Sequence, residues 1–178
     1  EQNALAWLGA AFYGFPLVEL SIIALPGTKG NTTTAYMADH ILGRATDHHV
    51  ALFSTLDRVL GNGPDDHFKS DLTTPESLDL FHDMRAAVDN GMTHLVMEVS
   101  SQAYKKYRTY GLHFDIGIFL NISPDHIGRN EHPTFADYLH CKEQLLVNSR
   151  VCLINAETAD LADVYYTAKA TTQPEDIY

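Results

Sequence analysis

The sequence predicts an α/β domain whose mainly parallel sheet is flanked by helices, and three observations carry that prediction. Apolar runs of strand length alternate with segments of helical periodicity. The first of these runs leads into a glycine- and threonine-rich turn, "ALPGTKGNTTTAY" at 24–36, that opens a helix. Two later runs end in polar clusters, "MEVSSQAY" at 97–104 and "NISPDHIGRNEHPTF" at 121–135. In a parallel sheet such strand ends gather where ligands bind.

The strands are expected at Leu20–Leu25, His49–Ser54, His94–Val99, Phe114–Ile122 and Val151–Asn155. Helices are expected at Asn3–Phe12, Thr32–Leu42, Pro75–Asn90 and Thr134–Asn148. The third helix is the best marked: Thr74 suits its cap, Pro75 its first position, and Gly91 its end. Leu78, Phe81, Met84, Ala87 and Val88 recur at helical spacing, so they are assigned to the core. Residues 57–72 carry turn signals at Gly61, Asn62, Gly63 and Pro64 and read as an exposed loop or hairpin. The closing "TAKATTQPEDIY" is polar and reads as loosely ordered.

The chain of 178 residues reads as one domain. It opens on Glu1 rather than Met and looks folded from its first segment, which suggests an incomplete piece of a longer protein. Twelve basic against 23 acidic residues give a net charge of −11, which argues against nucleic-acid or anionic-membrane surfaces. Neither a membrane-length apolar stretch nor a signal peptide is visible, and two cysteines build no disulfide framework, so a reducing cytoplasm is the expected compartment.

Four places carry candidate chemistry. Gly27-Thr28-Lys29-Gly30 followed by a helix sets backbone N–H groups around a phosphate, and Thr32 or Thr33 can offer a hydroxyl to Mg²⁺. A plain Gly-rich turn explains that stretch equally well on its own, because its spacing is not the common G-x-x-x-x-G-K-[ST]. Glu98 is a carboxylate in otherwise buried sequence, costly unless paired or metal-bound. Asp125 and His126 follow another apolar strand, and His126 can ligate a metal. Lys142 reads, from spacing alone, as an ordinary solvated helical amine. A zinc site from His126, His132, His140 and Cys141 fits no compact ligand spacing.

Taken in order, these pieces resemble the ATP-dependent Mur ligases across roughly residues 1–157. The carrying motifs are G-T-x-G near the start, T-T-P, E-V-S-S, Arg108 before G-L-x-F-D, N-I-S-x-D-H and a late helical lysine. The stretch from Phe114 to Leu146, and Gly27-Thr28-Lys29-Gly30, look most like the lysine-adding, tripeptide-forming branch. The resemblance implies a partial central ATP-binding domain, of P-loop type, without the family's UDP-binding and amino-acid-binding domains. It also implies ATP-dependent amide ligation in peptidoglycan precursor synthesis, with UDP-N-acetylmuramoyl-L-Ala-D-Glu and an amino acid as substrates and an acyl phosphate between them.

By the same resemblance, Gly27, Thr28, Lys29, Gly30, Asn31, Thr32 and Thr33 face the ATP phosphates. Thr32, Glu98 and His126 would attend Mg²⁺, and Thr73, Thr74, Ser100, Lys106 and Arg108 would hold the muramyl peptide. Lys142 matches a lysine that the family carbamylates, which turns an amine into an anionic oxygen donor. Two positions depart from the pattern: Pro26 stands before the loop glycine, and Asn31 replaces the loop lysine. Losing one such charge costs about 10²–10³ in rate. A binding module without turnover is therefore the competing reading, and a folylpolyglutamate-synthase-like ligase, which lacks the T-T-P and E-V-S-S motifs, is a weaker third.

Overall fold

A computed structural model describes residues 2–125, 127–128 and 131–178. The strands are β1 (Ser21–Leu25), β2 (Val50–Phe53), β3 (Asp57–Val59), β4 (His67–Lys69), β5 (His94–Glu98), β6 (Phe114–Phe119) and β7 (Ser149–Ile154). They form one sheet in the order β4-β3-β2-β5-β1-β6-β7. The pairs β2–β5, β5–β1, β1–β6 and β6–β7 are parallel, whereas β3 and β4 form an antiparallel hairpin on one edge. The residues 57–72 are thus the expected hairpin, although Arg58 and Leu60 within it are buried.

The helices are α1 (Gln2–Phe12), α2 (Asn31–Ala45), α3 (Ser77–Asp89), α4 (Ser101–Lys105), α5 (Phe135–Val147) and α6 (Leu161–Lys169). One face of the sheet carries the larger core, in which Phe81, Met84, Leu95, Phe114, Phe119, Tyr138 and Leu145 meet. The opposite face packs on α2 through Leu25, Ala35, Val50, Leu52 and Val96. Gly117 of β6 admits the close approach of α5 to β7. A Cβ there would lie 2.2 Å from Ser149 Oγ and 2.6 Å from Leu145 Cδ2.

Several expectations shift. Glu76, not Thr74, occupies the cap position of α3, because the Thr74 hydroxyl is turned to the sheet, donating to Glu98 O at 3.2 Å. Within α3, Leu80 is fully buried and Leu78 is 44 % exposed, so the core stripe runs beside the predicted one. The strand expected to reach Ile122 ends at Phe119, and the chain leaves the sheet there to bring Asn121 to the glycine-rich loop. The C-terminal stretch is ordered: α6 runs to Lys169, Ile177 bridges to Cys152, and the Tyr178 N–H donates to Cys152 O at 2.9 Å. Short α4 was not anticipated; Ser100 caps it by accepting from the Ala103 N–H at 3.2 Å. Among the described residues no helix is long and apolar enough to cross a membrane.

Candidate nucleotide site at the strand ends

Parallel pairing sets Leu25 of β1 opposite Glu98 of β5. The glycine-rich loop therefore leaves the sheet directly beside the buried carboxylate. Gly30, at φ 80°, provides the left-handed turn into α2, a conformation that costs glycine little. Among the described residues no side chain caps α2, so its first N–H groups and the positive end of its dipole are left open at the strand ends. The loop itself is held by Asn121. Its Oδ1 accepts from the N–H groups of Thr28 and Lys29 at 3.2 and 3.1 Å, and its Nδ2 donates to Lys29 O at 2.7 Å.

Glu98 is fully buried and surrounded by donors. Its Oε1 accepts from the Thr55 N–H at 3.0 Å. Its Oε2 accepts from Thr55 Oγ1 at 2.9 Å, from Thr32 Oγ1 at 3.2 Å and from Asn31 Nδ2. Asn31, standing where a lysine was expected, thus satisfies the carboxylate as a neutral donor. Thr74 completes the neighbourhood, its hydroxyl accepting from the Ser100 N–H at 3.0 Å.

A pocket of about 380 Å³ lies over these strand ends, lined by Gly27, Thr28, Asn31, Thr32, Thr55, Thr73, Ser100, Tyr138 and Lys142, among others. Lys142 is 3 % exposed, with its ammonium 5.0 Å from the centre of the Tyr138 ring. It is not the solvated amine that spacing suggested. Burial lowers its pKa to about 8, against a smaller opposing pull from Asp125. The uncharged, nucleophilic amine is therefore accessible near neutral pH.

The remaining candidates are dispersed. Thr33 is exposed on α2, and Lys29 is exposed with its backbone engaged by Asn121. Lys106 is exposed just past α4. Arg108 is buried: it donates to Thr74 O at 3.3 Å and pairs with Glu76, while its Nε finds no partner among the described residues. His126 lies outside the described residues. Of the residues weighed for zinc, His132 and Cys141 come together with Asp137, their ligand atoms within 4.8 Å. Both His132 nitrogens are already engaged, by Asp137 Oδ2 at 2.6 Å and Ser101 Oγ at 2.8 Å. A larger cleft of about 660 Å³, between Trp7 and α5, contains none of the predicted site residues.

The family description "Mur ligase middle domain" matches residues 25–174. The chain belongs to the Mur ligase family. As a Mur ligase middle domain it is 80 % identical over 178 residues to the UDP-N-acetylmuramyl-tripeptide synthetase of Limosilactobacillus reuteri (strain DSM 20016), covering all of this chain and 34 % of that protein. It is 81 % identical over 177 residues to the enzyme of the same name from Ligilactobacillus salivarius (strain UCC118), covering 99 % of this chain and 35 % of that protein. The chain thus spans about a third of the length of these curated relatives. Among solved structures, a UDP-N-acetylmuramoyl-L-alanyl-D-glutamate–2,6-diaminopimelate ligase superposes at a TM-score of 0.76 with 23 % identity, over 98 % of this chain and 36 % of that one. Mycobacterium tuberculosis folylpolyglutamate synthase complexed with ADP follows at 0.65 and 16 %, over 95 % and 44 %. Both show the shared fold.

Three residues of this Mur ligase domain escaped the sequence reading, Thr55, Arg58 and Tyr138, while Asn121 was read only as the first residue of the N-I-S-x-D-H motif and given no role. Tyr138 precedes Lys142 by one helical turn, a spacing that could have paired them. Thr55 and Arg58 gave no local signal, because their partners lie in other segments.

Proposed function

We propose that this chain is the ATP-handling part of a ligase that adds an amino acid, L-lysine, to UDP-N-acetylmuramoyl-L-Ala-D-Glu in the cytoplasm. The observation that carries the reading is that the uncapped α2 N-terminus and Thr32, which is hydrogen-bonded to the buried Glu98, meet at a pocket that Lys142 also lines. In the reaction, the D-Glu carboxylate oxygen takes the γ-phosphoryl group of ATP with release of ADP. The incoming amine then attacks the acyl carbon, and phosphate leaves. The chain's work is positioning and charge neutralisation.

The oxygen donors Thr32 Oγ1 and Glu98 Oε2, 3.2 Å apart, suit Mg²⁺. They would hold it together with His126, and the ion would neutralise phosphate charge. Lys142 fits carbamylation because burial favours the neutral amine that attacks carbon dioxide. Thr73 and Ser100 line the same pocket, Thr74 holds the Ser100 N–H from behind it, and all three are assigned to the muramyl peptide. Lys106 and Arg108 extend that assignment along α4 and the turn after it. A second reading, binding without turnover, is favoured by Asn31, whose amide occupies the Glu98 oxygen that a metal ion would share.

The test is calorimetric titration of adenylyl imidodiphosphate with Mg²⁺ into this chain and into its Asn31→Lys variant. The variant is expected to bind about 10–100-fold more tightly, as a charge-assisted contact to phosphate contributes. Equal affinities would show that Asn31 does not impair the loop. Absence of binding in both would sink the nucleotide assignment.

A further inference from the structure

Tyr138 is fully buried, and three parts of the site converge on it. Its hydroxyl lies 3.1 Å from Thr28 Oγ1 in the glycine-rich loop, and that oxygen also accepts from the Ser123 N–H at 3.3 Å. Its ring faces the Lys142 ammonium, 5.0 Å from the centroid, within cation–π range. The His132 ring lies beside it, 5.2 Å between centroids and tilted by 57°. His132 is itself fixed by Asp137 and Ser101, so the tyrosine ring rests on a rigid support. Burial raises the phenol pKa, which keeps the O–H in place at neutral pH.

We propose that Tyr138 is a positioning residue that couples the glycine-rich loop to Lys142, its hydroxyl fixing Thr28 while its ring face fixes the amine. This inference deepens the ligase assignment and rests on its reading of the loop, with Lys142 as the free amine that carbamylation would consume. The two functions sit on different atoms of one side chain. Phenylalanine keeps the ring and loses the hydroxyl; leucine loses both. Because Lys142 follows Tyr138 on the same helix face, the distance from amine to loop is set by one rigid element instead of two mobile side chains. Any coupling of this kind is reciprocal: a group bound at the loop influences Lys142 as much as Lys142 influences the loop.

The experiment is NMR on the full chain, labelled with ¹⁵N in the backbone and ¹³C at lysine Cε. In the unaltered chain the Lys142 ε-methylene should resonate upfield of the other lysines, from the ring current of Tyr138. Tyr138→Phe should move the Thr28 amide and leave the Lys142 ε-methylene in place, and Tyr138→Leu should move both. Adenylyl imidodiphosphate with Mg²⁺ should bind Tyr138→Phe about fivefold more weakly, the loss of one hydrogen bond. An unmoved Thr28 amide or unchanged affinity in the phenylalanine variant overturns the hydroxyl's role. A Lys142 resonance that coincides with those of the other lysines in the unaltered chain overturns the ring's role, even if the leucine variant does not fold. Should neither the unaltered chain nor its Asn31→Lys variant bind nucleotide, the ligase reading fails, while the two resonances still decide whether Tyr138 couples loop and lysine.

Discussion

Arg58 and Lys142 are equally buried, each 3 % exposed, yet the fold surrounds them in opposite ways. Arg58 donates to Ser54 O at 2.8 Å, to Ser70 Oγ at 2.9 Å, to Leu72 O at 2.5 Å and to Thr73 O at 3.3 Å. Asp83 lies 3.8 Å away, and the Phe53 ring is 5.2 Å from the guanidinium carbon. Lys142 has the Tyr138 ring and, among the described residues, no ion pair. Burial lowers both pKa values, that of lysine to about 8. An arginine with its donors satisfied stays charged and ties the hairpin to the Thr73 segment. A lysine left incompletely partnered at a pocket wall is chemically available.

Arg58→Met should break the first half of this contrast and have the largest effect. It would strand carbonyl oxygens of Ser54, Leu72 and Thr73 and leave Asp83 without its cation, costing about 3–5 kcal/mol. Urea unfolding would read this, and a loss below about 1 kcal/mol would show that the guanidinium is not the tie described.

Lys142→Met should act with the opposite sign. A folded-state pKa of about 8 against the ordinary 10.5 means that the charged amine destabilises the fold, by about 3 kcal/mol where both states are protonated. The methionine variant should therefore be more stable than the unaltered chain below pH 8. Its advantage should fade as pH rises from about 8 towards 10.5, where the unfolded lysine also loses its proton. A stability difference that stays flat across that window would mean that Lys142 is not held in an unfavourable charged state.

Thr74→Val sharpens the comparison at the smallest scale, since it alters a neutral bond next to the Thr73 segment that Arg58 ties down. The Ser100 N–H would lose its acceptor, costing about 1–2 kcal/mol, and Thr74→Ser should restore most of it. Equal unfolding midpoints for the valine and serine variants would show that the hydroxyl does not matter.

The alternation of apolar runs with helical segments determined the α/β class, and five of the seven strands among the described residues were legible from it. Gly27-Thr28-Lys29-Gly30 marked the loop, and Glu98 stood out because a carboxylate in an apolar strand needs partners. These are local signals, set by composition and periodicity within a few residues. The cap of α3 was misread because Thr74 has the right chemistry for a cap, and only the position of β5 shows that its hydroxyl is used there instead.

Register and connection were decided by tertiary structure alone. Nothing local to Leu25 and Glu98 states that they are paired, because strand pairing joins segments distant in sequence. The partners of Arg58 span residues 54–83, and Asn121 reaches back to Thr28 and Lys29. By its spacing alone Lys142 was indistinguishable from a solvated helical lysine, and only the family resemblance singled it out. It became a buried amine only when the strand ends and Tyr138 closed around it, and desolvation, which changes its chemistry, is a property of the assembled fold.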